Sequence, residues 1–209
     1  MKSENEHSFP SELLFTVTPD RAAGFLQCVQ RGIIIRAEVG CSLRSFLRNQ
    51  LQLSSQFIEN RIQTIFLNGK PVDDIDAATV KNGCTLALSS AMPGLVGATM
   101  RREGFYASLR SQISHGPEEG GMLRESGFIT LKLFNMVASE LGPALLENGI
   151  CVTKEDLGDF IRTHEAILGT WDMKAELEGE PLDGETLRAM QWADKLVRVR
   201  LKIQQKDTG

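Results

Sequence analysis

The sequence predicts an α+β protein made of two consecutive units. Runs of β-branched and aliphatic residues alternate with segments whose apolar residues recur at helical spacing. Two Asn-Gly pairs, at 68–69 and 82–83, supply the positive φ angles that tight turns need. These patterns favour a mixed sheet with a packed helix in the first half, followed by a second α+β or helical unit.

The N-terminal residues 1–11 are polar and are predicted to be a mobile leader. A first strand is predicted over 12–17, ELLFTV. Thr18 and Pro19 then begin either a turn or a helix, because proline fits the first helical position. A second strand is predicted in GIIIRAEVG, where β-branched residues stand between glycines. A helix is predicted to begin at Ser42, which can cap it, and its apolar side holds Leu43, Phe46, Leu47 and Leu51.

Two further strands are predicted at the Asn-Gly pairs. In RIQTIFLNGKPVDD an apolar run ends at Asn68-Gly69, which predicts a hairpin. In KNGCTLALSS the chain turns at Asn82-Gly83 into a strand whose Leu86 and Leu88 share one face. Residues 12–90 therefore predict strand, strand, helix, strand, turn and strand, in that order.

This order resembles the ubiquitin-like β-grasp fold, in particular the small sulfur carriers of thiamine and molybdopterin synthesis. Their helix entry is similar to Gly40-Cys41-Ser42-Leu43 with Phe46-Leu47, and their central strand to Phe66-Leu67-Asn68-Gly69. Their closing strand is similar to the pattern of Ala77, Val80, Asn82, Gly83, Leu86 and Leu88. The resemblance implies a β-grasp-like domain and connector over 12–114.

The chain departs from those carriers where their chemistry takes place. The carriers end in a free Gly-Gly whose carboxylate is loaded with sulfur. Here AMPGLVG occupies the corresponding position and the chain continues to QQKDTG, with the single glycine Gly209. Sulfur transfer would require cleavage after Gly94 or Gly97, and no processing signal is recognisable there.

HGPEEGG, residues 115–121, predicts a linker, and 122–209 is predicted to be a C-terminal α+β unit. A helix is predicted in FITLKLFNMVASEL, because its apolar residues recur at helical spacing: Leu131, Phe134, Val137 and Leu141. Gly142-Pro143 is predicted to interrupt this helix. A second helix is predicted after Thr153, with Asp156 at the capping-box position and Gly169 as its end. MKAELEGEPLDG and VRVRLKI alternate as strands.

The last strand is basic on one side. Arg198, Arg200 and Lys202 either bind a polyanion or pair with Glu176 and Glu178 on a predicted neighbouring strand, and the cross-strand pairing is favoured.

The two halves of the chain contain similar segments. The segment 67–73, LNGKPVD, aligns with 177–183, LEGEPLD, and the helix after Ser42 aligns with the helix after Thr153. Either one α+β unit was duplicated, or both segments are ordinary hairpins.

The amino-acid composition predicts a globular protein. With 42% hydrophobic and 24% charged residues the chain is typical of globular proteins, and neither a membrane-spanning segment nor a secretory signal is predicted. Its cysteines lack metal or redox spacing and are predicted to be free buried thiols in a reducing cytoplasm: Cys28, Cys41, Cys84 and Cys151. No metal site, cofactor or membrane contact is predicted.

The stretch AMPGLVGATMRREG, residues 91–104, is open to two further interpretations. As a connector it would bury Leu95, Val96 and Met100 and turn its arginines to solvent. As an anion site it would use a glycine turn and nearby arginines: Gly94, Gly97, Arg101, Arg102 and Arg110. Neither a Walker motif nor a dinucleotide-binding motif is present in this stretch. The connector is favoured.

No catalytic constellation is recognisable; a Cys151–His164 pair would need proximity that spacing cannot show. The sequence therefore predicts a non-catalytic cytoplasmic adaptor that binds another protein through a sheet face or edge, with nucleic acid disfavoured. The alternative is an anion- or nucleotide-binding accessory protein or enzyme acting through Gly94–Arg110.

Overall fold

The computed structural model describes residues 11–91, 94–102, 104, 123–164 and 174–204. The chain divides into two compact units: unit 1 is Met1–Phe25 with Ala144–Gly209, and unit 2 is Leu26–Pro143. The sequence predicts a single division at 115–121, a segment that lies outside the described residues. In the structure each unit instead includes a strand from the other half of the chain.

The first half contains five strands and five α-helical segments within its described residues. Pro19 starts the first helix, so the helix alternative for Thr18-Pro19 is confirmed. The strands are β1 (Glu12–Val17), β2 (Ile33–Val39), β3 (Thr64–Leu67), β4 (Lys70–Pro71) and β5 (Thr85–Ser89). The helices are α1 (Pro19–Ala22), α2 (Leu26–Arg31), α3 (Leu43–Ser45, continued by a π-turn over Phe46–Gln50), α4 (Ser55–Asn60) and α5 (Gly94–Met100), with a 3₁₀ turn at Ala23–Phe25.

The described residues of the second half contain five strands and three helices. The strands are β6 (Glu125–Phe134), β7 (Ile150–Thr153), β8 (Lys174–Leu177), β9 (Glu180–Leu182) and β10 (Leu196–Ile203). The helices are α6 (Asn135–Asn148), α7 (Lys154–Thr163) and α8 (Gly184–Ala189). Among the described residues, no helix has both the length and the apolar character needed to cross a bilayer.

The sheet of unit 2 has the order β4-β3-β5-β6-β2. The hairpin β3–β4 and the pair β3–β5 are antiparallel, β5 and β6 are parallel, and β6 is antiparallel to β2. Strand β6 comes from the second half of the chain, yet it lies between two strands of the first half. The α3 segment contacts β2, and its apolar residues Leu43, Phe46 and Leu47 are fully buried.

The sheet of unit 1 has the order β7-β10-β1-β8-β9. Strand β1 is parallel to β10 and antiparallel to β8, β10 is antiparallel to β7, and β8 forms a hairpin with β9. Residues 12–90 therefore do not supply one sheet, because β1 pairs with strands from the second half. The ring of Phe25 packs at a tilt against those of Phe15 and Phe160, with centroids 5.1 and 4.9 Å apart, and all three residues are fully buried.

The helix predicted over FITLKLFNMVASEL is wrong in its first half. Residues 125–134 form strand β6, in which alternate residues from Gly127 to Leu133 are buried. The helix starts only at Asn135, whose φ of +52° turns the chain out of the strand. It also continues through Gly142-Pro143 rather than stopping there, with buried residues before and after the proline.

The helix caps and turns repeat between the two halves. Ser42 accepts a hydrogen bond from Ser45 N at 3.2 Å, and Thr153 accepts one from Asp156 N at 3.1 Å, which confirms both predicted caps. The hairpin turns also match: φ is +50° and +77° at Asn68-Gly69, and +53° and +85° at Glu178-Gly179. The predicted end of the second helix at Gly169 lies outside the described residues, and α7 is described to Thr163.

Candidate functional site

The 94–110 region contains a short helix in the structure. Gly94 has a φ of +81° and open space around it, and it begins α5. Gly97 is buried in the middle of this helix. Strand β5 ends at Ser89, and Pro93 lies outside the described part of the chain.

Arg102 ties the end of α5 to the neighbouring elements of unit 2. Its backbone N–H donates to Gln63 O at 2.7 Å, and its Nη2 donates to Ile58 O at 3.1 Å. Ile58 lies in the last turn of α4, where carbonyl groups lack partners within the helix. Arg102 thus stabilises the fold, while Arg101 is exposed and Arg110 lies outside the described residues. The anion site therefore stays a prediction.

The prediction that Leu95 is buried is wrong. Its side chain is 73% exposed, and Met100 is only half-buried. The reason is rotational: Gly97 is two residues further along the helix, about 200° around its axis. Since α5 buries Gly97, Leu95 faces solvent.

The predicted partner of the basic strand is also wrong. Arg200 Nη2 lies 3.1 Å from Glu12 Oε1, and Arg198 Nε lies 3.5 Å from Glu12 Oε2. Glu176 and Glu178 are not opposite β10, because β1 lies between β10 and β8. The basic strand β10 does pair with a carboxylate on a neighbouring strand, as expected, but that strand is β1 and the carboxylate is that of Glu12.

The exposed side of the unit 2 sheet is mostly uncharged; we call it the outer face. The register places Ile34 opposite Thr130, Thr130 opposite Thr85, and Phe66 opposite Ala87. Phe128 projects from the same side and is 52% exposed, although it lies in the middle of β6. Two cations flank these residues, Arg36 opposite Phe128 and Lys132 opposite Ala87.

The cations of the outer face have no carboxylate partner in the described part of the chain. Arg36 Nε donates to Ser126 Oγ at 2.9 Å, a neutral hydroxyl. Lys132 forms no ion pair with any residue that the structure describes. Glu38, at the end of β2, is already paired with Arg124 at 3.0 Å. The outer face of unit 2 therefore has an uncompensated positive charge.

The corresponding side of unit 1 is charged, and most of its charged side chains pair with one another. The register places Glu12 opposite Arg198, and Arg200 opposite Leu14, which in turn faces Glu176. Glu12 pairs with both arginines. Cys151 lies on this side next to Arg198 and is half-buried.

The free edge of each hairpin carries a proline. Phe66 faces Pro71, and Val72 N donates to Ile65 O at 2.9 Å, so the backbone of Pro71 is directed away from β3. Pro181 has the same register on β9, opposite Glu176. Because proline has no N–H, it removes a donor from each free edge and disfavours addition of a further strand.

The sequence-based interpretation missed the outer face because it assigned Phe128 to a helix. The alternation of Gly127, Ile129, Leu131 and Leu133 was the available signal, and it places Phe128 and Lys132 together on the opposite side.

The cysteines are all free thiols, and three of them are buried as predicted, whereas Cys151 is only half-buried. Burial raises the pKa of Cys41, Cys84 and Cys151, so these thiols stay protonated at neutral pH and are weak nucleophiles. His164 is buried, and its ring stacks on Phe160 with centroids 4.4 Å apart. Within the described ranges no three metal-ligating side chains cluster. No hydrogen bond joins Cys151 to His164, both of which are described.

Comparison with known proteins finds no matching family model, no similar curated protein and no similar solved structure.

Proposed function

We propose that unit 2 is a ubiquitin-like β-grasp sheet in which β6 occupies the position of the first strand. In a β-grasp sheet the first and last strands are parallel neighbours, the second strand lies beyond the first, and the third and fourth lie beyond the last. The parallel pair β5–β6, with β2 on one side and β3–β4 on the other, supports this assignment. Helix α3 follows β2, where that fold has its helix.

In this proposal unit 1 is a diverged copy of unit 2, and the two halves of the chain contain the same kinds of elements in the same order. Strand, helix, strand, helix and hairpin occur in the same order from β1 and from β6, each ending in a last strand. The first strands are exchanged: β1 belongs to unit 1 and β6 to unit 2. The strand order of unit 1 differs in one respect, since its own last strand β10 neighbours β7 and β1 neighbours β8.

A pair of matching hydrogen bonds supports the duplication. Asn68 Oδ1 accepts from Thr85 N, the first residue of β5, at 2.9 Å. Glu178 Oε1 accepts from Glu12 N, the first residue of β1, at 2.6 Å. The same turn position thus binds the start of the neighbouring strand in both units, with β1 standing where β5 stands in unit 2.

The function that we propose is non-catalytic: the outer face of unit 2 binds another protein through a segment that presents apolar side chains and carboxylates. The observation that carries it is Phe128, a phenylalanine left half-exposed in the middle of a ten-residue strand. Aromatic side chains contribute strongly to protein interfaces. The uncompensated Arg36 and Lys132 add complementarity to an acidic partner.

Binding at the face is favoured over strand addition at an edge. Pro71 removes a donor from the β4 edge, as described above, whereas the face needs no free backbone group of this protein. The free thiols support the cytoplasmic location that the proposal includes.

The test uses the full chain as bait in an extract of its native host. Phe128→Ser and Lys132→Glu change the outer face of unit 2. Leu14→Ser and Lys202→Glu make the matched changes on the corresponding side of unit 1. A captured protein that depends on the face is purified, and its affinity for all five chains is measured by calorimetry.

The proposal expects one partner to lose roughly tenfold or more in affinity with Phe128→Ser, as interface hot spots do. Lys132→Glu should weaken the same partner, and the weakening should shrink at high salt. The unit 1 variants should bind like the parent chain. A partner that tolerates both outer-face changes, or that responds equally to the unit 1 changes, contradicts the proposal.

A further inference from the structure

A cleft of about 420 Å³ lies in unit 1. Helix α7 forms one side of it, and α8 together with the residues that follow α8 forms the other. The side chains of Ile161 and Leu187 at this cleft are almost fully buried. Met190 and Trp192 are half-buried and contribute apolar surface. The volume falls in the range of small-molecule sites.

Gly158 lies at the centre of the side of α7 that lines the cleft. Lys154, Gly158 and Arg162 follow one another at four-residue spacing on that side. Glycine in a helix interior is less stable than alanine. A Cβ at this position would meet only Arg162 Nη1, at an ordinary contact distance of 3.5 Å. The described fold therefore has room for a side chain at 158 and does not itself require glycine.

One cation at the cleft is available to an anion. The cleft is lined by Lys154, Arg162 and Arg188 and by the carboxylate of Glu155, and Arg188 lies close enough to Asp183 to lower the pKa of that carboxyl. Arg162 pairs with Asp159. Lys154 forms no ion pair with a residue that the structure describes.

We infer that this cleft binds a small aromatic carboxylate, whose ring enters the space that Gly158 leaves open and whose carboxylate meets Lys154. Trp192 offers the ring an aromatic partner. This site is independent of the outer face of unit 2, so the two proposals can fail separately.

The experiment titrates the full chain with 2-naphthoate and, separately, with the neutral analogue 2-naphthalenemethanol, using calorimetry. Saturable binding of 2-naphthoate is expected, with the neutral analogue about fivefold weaker, the factor a solvent-accessible ion pair supplies. Gly158→Ala should weaken 2-naphthoate about tenfold, as an added methyl group does in an apolar pocket. The same variant should melt about 2–4 °C higher, because alanine favours the helix.

Two further variants separate the site from general effects. Thr163→Ala also raises helix propensity, but residue 163 does not line the cleft, so 2-naphthoate should bind as before. Lys154→Gln should remove the preference for the carboxylate over the alcohol. The inference is overturned if 2-naphthoate fails to bind saturably, if Gly158→Ala binds it equally well, or if Gly158→Ala lowers the melting temperature.

Discussion

Glu12 Oε1 lies 3.1 Å from Nη2 of Arg200, which joins a residue at the start of the first strand to a residue in the middle of the last strand. The contact exists because β1 lies parallel to β10, in a sheet whose other strands all come from the second half of the chain. Arg198 Nη2 also donates to Asn148 O at 2.9 Å, which holds that guanidinium near the same carboxylate.

Glu12→Gln should lower the free energy of unfolding by up to about 1 kcal/mol, since both ion pairs are partly exposed to solvent. Urea denaturation measures the change, which should shrink at high salt.

Glu176→Gln is the matched control, because Glu176 is one of the two partners, with Glu178, that the sequence predicts for the basic strand. The structure places it opposite Leu14 and Pro181, so its substitution should change stability by less than about 0.5 kcal/mol. A larger loss with Glu176→Gln than with Glu12→Gln would contradict the observed strand order.

Features set by a few neighbouring residues were predictable from the sequence. Asn68-Gly69 fixes a tight turn through backbone preferences alone, and Ser42 and Thr153 cap helices through hydrogen bonds to residues three positions away. Such interactions are complete within a short stretch of sequence, so the α+β class and the hairpins follow from them.

Features that depend on distant pairing were not predictable. Nothing within ELLFTV indicates that β1 pairs with β8 and β10 rather than with β2. The wrong helix prediction at β6 has a local cause. Leu131 and Phe134 belong to a strand and Val137 and Leu141 to the following helix, and the spacing of the four residues across the boundary imitates one helical face. Once Phe128 was placed on a helix, the outer face of unit 2 could not be recognised.

The connector region should respond to substitution in the opposite way to the sequence-based expectation. Leu95→Ala should change stability by less than about 0.5 kcal/mol, because the side chain is mostly exposed. Arg102→Ala should cost about 1–2 kcal/mol, because a charged donor to a part-buried carbonyl is lost. Thermal unfolding of both variants decides this, and a larger loss for Leu95→Ala would show that the leucine is buried.

Helix α8 should lose its cap in acid. Asp183 accepts hydrogen bonds from Thr186 N at 2.7 Å and from Thr186 Oγ1 at 2.9 Å, which lower the pKa of the carboxyl. A lowered pKa in the folded state means that the cap stabilises the protein above the ordinary aspartate pKa of about 3.9 and is lost as the pH falls through the lower value.

The amide NMR shift of Thr186 reports this titration. It should change with an inflection below about pH 3.9, and it should stay flat in Asp183→Asn, which keeps an acceptor oxygen but does not titrate. An inflection above the ordinary aspartate range would contradict the capping role.

The pairing of β1 with β8 and β10, and of β6 with β2 and β5, predicts that the two halves of a cut chain stay together. A protease recognition sequence inserted between Gly120 and Gly121 separates a fragment containing β1 from one containing β6. The first fragment still supplies β1 between β10 and β8, and the second still supplies β6 between β5 and β2. Separation would therefore require breaking backbone ladders in both units, and the cleaved protein should elute from a sizing column at the position of the uncut chain.

In concentrated urea, which unfolds both units, the fragments should elute separately. Fragments that separate in native buffer would show instead that each half forms its own unit, as sequential domains at 12–114 and 122–209 would.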